Sequence, residues 1–234
     1  MEKLCKFCRN VFFPKYGKQI FCSLSCSNKH NLNNKKKITL PQQYNSELAE
    51  FFGILLGDGS VTRYYTRIYL NLIADKGYEK KIIYLIKKLF LDINICLMNR
   101  PKRGTKEIQI SSKEVSDYLV KVGFIPKIRS VPGWITKRRS FVKATLRGLF
   151  DAEGSIGIKY YKSKKGLRIY KQLTFTNSNK NLLTFVENNL KNLGFSPTKN
   201  SKRNIYISNN KDIKKYFAMI GTSNPKLEKK MKIK

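Results

Sequence analysis

"LRGLFDAEGSI", residues 146–156, reads as the end of an apolar helix that closes on two acids and a glycine. A helix turns its carbonyl oxygens toward its C-terminus, so extra negative charge there is disfavoured unless a cation sits nearby. The stretch "FFGILLGDGSV", residues 51–61, is an imperfect copy that has Asp58 where the first has Glu153. Gly53 and Gly57 in one copy, and Gly148 and Ala152 in the other, are four residues apart and share one face of each helix. Small side chains there let two helix backbones approach closely, while Phe52, Leu55, Leu149 and Phe150 turn into the cores of their own halves. Crossing in this way brings Asp58 and Glu153 together, each followed by a glycine, Gly59 or Gly154, that can end its helix. Facing carboxylates at two negative helix ends repel. Divalent cations resolve the conflict: hard oxygen ligands suit Mg2+, and two such ions ~4 Å apart suit phosphodiester cleavage.

The rest of the body can be read twice. After the first motif come "VTRYYTRIYLNLI", an amphipathic helix near 78–90, a hairpin through "RPKRGTKEIQI" and a helix from "SSKEVSDYLVKVG". The second motif is followed by "GIKYYKSKKGLRIYKQLTFTN", "NLLTFVENNLKNLG", "SPTKNSKRNIYIS" and "NNKDIKKYFAMIG". Gly123 and Gly221 occupy matching places. The spacing predicts an α+β fold, a duplicated α-β-β-α-β-β-α domain with pseudo-twofold symmetry, and hence a monomer. Its halves run from 46 to 135 and from 136 to 222, followed by a basic C-terminal tail, 223–234.

Here the chain resembles the LAGLIDADG homing endonucleases, whose single-chain members carry two such motifs in a duplicated domain. "LRGLFDAEG" follows the name-giving motif closely and "FFGILLGDG" more loosely. The resemblance implies site-specific cleavage of both strands of double-stranded DNA at a long target, leaving a 3′ overhang. It implies Asp58 and Glu153 as Mg2+ ligands, one from each half, with the Gly57 and Ala152 backbones beside them. Members also place a polar and a basic residue after the second strand of each half. In this chain Asp75 and Lys76 fill that place in the first half, and Asn177 and Ser178 in the second. Lys76 then fits the basic catalytic role, organising water or stabilising the pentavalent phosphate, although one more phosphate contact explains it equally well. Ser178 departs from the pattern, so the two strand-cutting centres are chemically unequal. An intron RNA maturase and a non-catalytic DNA-binding regulator are the competing readings of the same scaffold.

The charge agrees with a polyanionic partner: 48 Lys and Arg against 15 Asp and Glu give a formal +33. There is no long apolar span and no signal peptide, which weighs against a membrane partner and for an intracellular protein, in cytoplasm, nucleoid or organelle matrix. The single histidine, His30, lies outside both motifs and leaves no material for Ser-His-Asp chemistry.

"CKFCRNVFFPKYGKQIFCSLSC", residues 5–26, spaces Cys5, Cys8, Cys22 and Cys26 as two close thiol pairs. Such pairs clasp one tetrahedral structural Zn2+, which is favoured over disulfides because nothing points to an oxidising compartment. A zinc-finger-like module, 1–30, and a basic linker, 31–45, follow from this. Cys96 has no partner and reads as a small buried apolar residue.

The strands indicate how a target is read. Ile68, Leu70 and Leu72 alternate with Arg67, Tyr69 and Asn71. Glu107 and Gln109 alternate with Ile108 and Ile110, and Arg168, Tyr170, Gln172 and Thr174 with Ile169, Lys171 and Leu173. A donor-rich sheet face of this kind fits the major groove, the bland alternative being a solvated face. With Arg63 and Tyr206, these polar residues are the candidate DNA contacts.

Overall fold

Four cysteines in 22 residues leave little apolar material for a core, so the N-terminal segment depends on its thiols for order. A computed structural model of the chain describes residues 1–33, 38–163, 166–199 and 201–233. Met1–Ile38 forms one unit and Thr39–Lys234 another. In the first, the antiparallel strands β1 (Lys3–Leu4) and β2 (Val11–Phe12) precede helix α1 (Leu24–Asn33), and Cys5 is fully buried. Part of the basic stretch read as a linker, residues 34–37, lies outside the described residues.

The second unit opens with α2 (Ser46–Asp58), β3 (Gly59–Val61), β4 (Thr66–Asn71), α3 (Tyr78–Leu89), β5 (Ile95–Arg100), β6 (Thr105–Ile110) and α4 (Lys113–Lys121). A short turn of helix, α5 (Gly133–Thr136), leads into α6 (Arg139–Glu153), β7 (Gly154–Ser163), β8 (Gly166–Thr176), α7 (Lys180–Asn192), β9 (Asn204–Ile207), α8 (Asn210–Met219) and α9 (Pro225–Met231). Asn45, Ser112, Asn179 and Asn209 start α2, α4, α7 and α8 by accepting free amide N–H groups at the first turn. Both sheets are antiparallel, ordered β3-β4-β6-β5 and β7-β8-β9. The duplicated α+β order is the expected one. Gly123 and Gly221 both adopt positive φ, 110° and 76°, directly after α4 and α8, so each end-of-repeat turn uses a conformation that glycine tolerates best.

Three features depart from expectation. The stretch "SPTKNSKRNIYIS", whose place in the repeat calls for two strands, gives one, β9, and among the described residues before it only an isolated bridge, Thr198 to Tyr206. Pro197 there lacks an N–H for a ladder, and no apolar alternation anchors the segment. Residues 223–234, read as a tail, carry α9, whose Leu227 is buried. Cys96 is exposed rather than buried, because β5 lies at the edge of its sheet.

Helices α2 and α6 form the centre. A Cβ placed on Gly148 would lie 2.2 Å from the Glu50 carbonyl oxygen, and one on Gly53 would lie 2.4 Å from that of Thr145. Backbone thus meets backbone with no room for a methyl group. Thr145 Oγ1 adds a bond to the Ala49 carbonyl at 3.0 Å. Phe52 turns away from this seam to meet Phe124 and Trp134 edge-on, and Phe150 packs on Phe175 and Tyr216.

Gly148→Ala and Gly53→Ala should each destabilise the protein by about 1–3 kcal/mol, because overpacking outweighs the roughly 1 kcal/mol of helix propensity that alanine adds. Urea unfolding checks this against Gly157→Ala, whose added Cβ would have no neighbour nearer than 3.9 Å.

Candidate active site and fold family

The close approach of α2 and α6 carries Asp58 and Glu153, the last residues of the two helices, to the same junction. Both are half-buried. Burial pushes the Asp58 carboxyl up to about 7, with the negative charges of Glu153 and Asp75 adding to it and the positive charges of Lys226 and Arg129 opposing. Burial also raises Glu153, against the Arg129 guanidinium and a hydrogen bond from Asn177 Nδ2 at 2.9 Å.

The helix-end conflict is met first by the protein itself. Arg129, in the segment joining the halves, has φ 48° and donates to the carbonyls of Gly57 at 3.0 Å and Gly59 at 2.9 Å. A cation therefore caps the negative end of α2. Asn179 Nδ2 holds that segment through the Ile128 carbonyl at 2.9 Å. Sequence reading missed Arg129, since nothing in "KIRS" marks a capping arginine.

Asp151, the other acid of the motif, is turned away from this pair. It is 1% exposed and binds the Thr222 hydroxyl and, at 2.7 Å, the Ser223 amide. Burial pushes its carboxyl up to about 7 in spite of these donors. Asn224 Nδ2 bridges the Asp151 carbonyl at 2.9 Å to Asp75 at 3.3 Å, and Lys226 pairs with Asp75 at 3.1 Å. Glu50 binds Arg147 and, at 2.9 Å, the Ser223 hydroxyl. The segment before α9 thus ties both halves together beside the carboxylates.

Lys76, given the basic role from its sequence position, is exposed, and the lysine whose charge weighs most on Asp58 is Lys226. The Gly57 carbonyl already accepts the Arg129 guanidinium, and Ala152 packs against Gly57 at the seam. The two raised carboxyls form a hard-oxygen set that a divalent cation suits.

On the sheets, Arg67, Tyr69 and Asn71 face away from buried Ile68 and Leu70, as expected. Arg67 Nε donates to Gln109 at 2.7 Å, and Asn71 closes a turn by accepting from the Ile73 and Ala74 amides. Glu107 is 8% exposed and paired with Arg100, so its carboxylate is engaged within the sheet. Arg63 lies over Tyr64, and Tyr206 pairs with Thr174 in the β8–β9 register. Gln172 donates to Ser208, and Tyr170 stacks edge-on to Tyr161. Arg168 pairs with Tyr161 in the ladder, while its side chain lies outside the described residues. Lys171, which interrupts the apolar alternation, reaches the Met231 carbonyl at the end of α9 at 2.6 Å.

Residues 140–221 match the family model described as a LAGLIDADG-like domain. The chain carries a LAGLIDADG-like domain. Its fold is similar to that of the homing endonuclease I-DmoI solved with DNA and Ca, with a TM-score of 0.51 and 21% identity over 75% of this chain and 88% of that one. It is also similar to full-length DUF199/WhiA from Thermatoga maritima, with a TM-score of 0.52 and 17% identity over 87% of this chain and 63% of that one. The LAGLIDADG fold is therefore shared by an endonuclease and by WhiA. Among curated proteins, the replication factor C small subunit of Methanocaldococcus jannaschii is 29% identical over 197 residues, 70% of this chain, and the chain spans 10% of that relative.

In the N-terminal unit the sulfurs of Cys5, Cys8, Cys22 and Cys26 all lie within 4.8 Å of one another. Cys8 to Cys22 is 3.6 Å and Cys22 to Cys26 is 3.5 Å, close to the about 3.8 Å edge of a tetrahedral Zn–S4 site and far beyond a disulfide bond. The Cys22 amide points at the Cys5 sulfur at 3.4 Å, a donor that favours thiolate. The cluster fits structural zinc. Cys5→Ser should release one zinc per chain and unfold this unit, read by elemental analysis and far-ultraviolet circular dichroism; a zinc-free wild type would refute the assignment.

Asp58 also sets a pH dependence. Its folded value, about 7, lies above that of an unfolded carboxyl near 4. Its contribution is therefore fully present below about pH 4 and is lost as pH rises through about 7. In metal-free buffer, Asp58→Asn should raise Tm at pH 8 relative to wild type. At pH 4 the two melting curves should coincide.

Proposed function

We propose that the chain is a site-specific, Mg2+-dependent DNA endonuclease that hydrolyses a phosphodiester in each strand of a long target and leaves a 3′ overhang. The observation that supports this reading is the pair of raised carboxyls, Asp58 and Glu153, one from each half, where the two repeats join. Asp58 and Glu153 would hold Mg2+, which when bound would supply positive charge against the charge that builds up during phosphodiester hydrolysis. Arg129 holds the end of α2 in place and tempers the repulsion between the acids. Asn177 orients the Glu153 carboxylate, and Lys76, on the exposed turn after Asp75, contacts phosphate. The two sheets present Arg67, Tyr69, Gln109, Tyr170, Gln172, Thr174 and Tyr206, and the β3–β4 turn presents Arg63, to base edges and backbone, and the protein acts as a monomer whose two repeats take the two half-sites.

The two centres differ, because Asp75 pairs with Lys226 whereas its counterpart Asn177 bonds Glu153. One strand should therefore be cut faster, with a nicked intermediate. Asp58→Asn and Glu153→Gln should abolish double-strand cleavage while target affinity stays within about tenfold. The check is incubation with a randomised duplex library and Mg2+, sequencing of cut ends, and binding in Ca2+. Full cutting by either variant would remove the assignment.

A further inference from the structure

The N-terminal ends of α2 and α6 lie at the far end of the helix pair from the carboxylates. Helix α6 has 15 residues, so its start is about 20 Å from Glu153. There, within the second unit, a cavity of ≈ 770 Å³ is lined by Tyr44, Tyr118, Trp134, Lys121, Lys137 and Arg138 among others, and by no carboxylate. The volume lies within the usual range for ligand sites.

Its floor is an aromatic pair. The rings of Tyr44 and Trp134 are stacked, with centroids 4.3 Å apart and planes 5° from parallel. Trp134 is 8% exposed and fixed on its other sides. Its Nε1 donates to the Val122 carbonyl at 2.9 Å, and Phe52 and Phe141 meet its ring edge-on at 5.6 Å. Tyr44, stacked on Trp134 through one face, is 47% exposed and lines the cavity. Burial, and then the neighbouring Tyr44, push the Tyr118 phenol up to about 12, which keeps it neutral beside an anion. Lys121, Lys137 and Arg138 are exposed, the last with its guanidinium over Phe141 at 5.4 Å.

A solvated charge face needs no stacked platform, and a ring that merely anchors the chain before α2 needs no ring of cations. An open aromatic face bordered by cations alone matches the two parts of a nucleotide, base and phosphate. Paired bases are already stacked on both faces, so a duplex cannot use the platform. We propose that this cavity binds single-stranded nucleic acid, one base stacking on Tyr44 and the flanking phosphates resting on Lys121, Lys137 and Arg138. The site lies at the opposite end of the helix pair from Asp58 and Glu153, and it stands whether or not the chain cleaves DNA.

Trp134 is the single tryptophan of the chain, so its fluorescence reports on the cavity directly. The full chain is titrated, without divalent ions, with RNA and DNA oligonucleotides of one sequence, with adenosine monophosphate, with duplex DNA and with heparin. Single strands should change Trp134 emission saturably, and the tighter of the RNA and DNA arms identifies the source. Heparin, a polyanion without bases, should bind without that change. Tyr44→Ala should weaken single-strand binding by at least tenfold and Tyr44→Phe should preserve it. Lys137→Ala with Arg138→Ala should weaken binding and lower the salt slope by about 1.4. Lys211→Ala with Lys214→Ala, on α8, should leave the emission change as in wild type. An unchanged emission, an equal response to heparin or duplex, unaltered binding by Tyr44→Ala, or equal affinity for adenosine monophosphate would each overturn the proposal.

Discussion

Helices α2 and α6 touch through bare backbone, Gly53 against Gly148, and that contact sets the position of everything around it. With no side chain between them, the two axes cannot slide or separate without losing contact along the whole seam. The helices consequently end together, and Asp58 and Glu153 become neighbours because their helices have no alternative register. Each half then hangs its sheet and outer helices from the opposite face of its own motif helix, through Phe52 on one side and Phe150 on the other. The seam thus fixes both the core and the distance between the acids.

Such a junction gathers negative charge, and the protein answers with several separate devices. Arg129 caps the end of α2, Arg147 neutralises Glu50, and Lys226 neutralises Asp75. Asp151 is satisfied by hydroxyl and amide donors from 222–223. Asp58, Asp151 and Glu153 all have raised carboxyls, but Asp151 is engaged by the 222–223 donors, whereas the Glu153 charge acts on Asp58 across the junction. Removing one partner of a buried charge is strongly unfavourable, so the surrounding pairs are structural supports for the two acids in the middle.

Much of this was legible from periodicity and spacing. Four-residue spacing of small residues located the seam, two-residue alternation located the faces of β4 and β8, and the thiol spacing located the cluster of four cysteines. Features that depend on tertiary closure were not legible. Arg129 acts from an irregular segment whose left-handed residue brings it under α2, and no local pattern encodes that reach. The burial of Glu107 follows from Arg100 across the ladder, and the exposure of Cys96 from strand order. A run of lysines near 226–232 hid α9, because only Leu227 marks its buried side.

The clasp made by residues 222–226 joins groups that are far apart along the chain: Ser223 meets Glu50 across 173 positions, and Lys226 meets Asp75 across 151. On the ribosome, at about 5–20 residues per second, roughly 10–35 s pass between the synthesis of Glu50 and that of Ser223. During that interval the glycine face of α2 is complete but has no partner until α6 emerges. A neighbouring nascent chain presents the same kind of face, so exchange of motif helices between copies competes with closure within one chain. The turn before α9, made last, adds Ser223–Glu50 and Lys226–Asp75 to whichever first and second halves have paired by then.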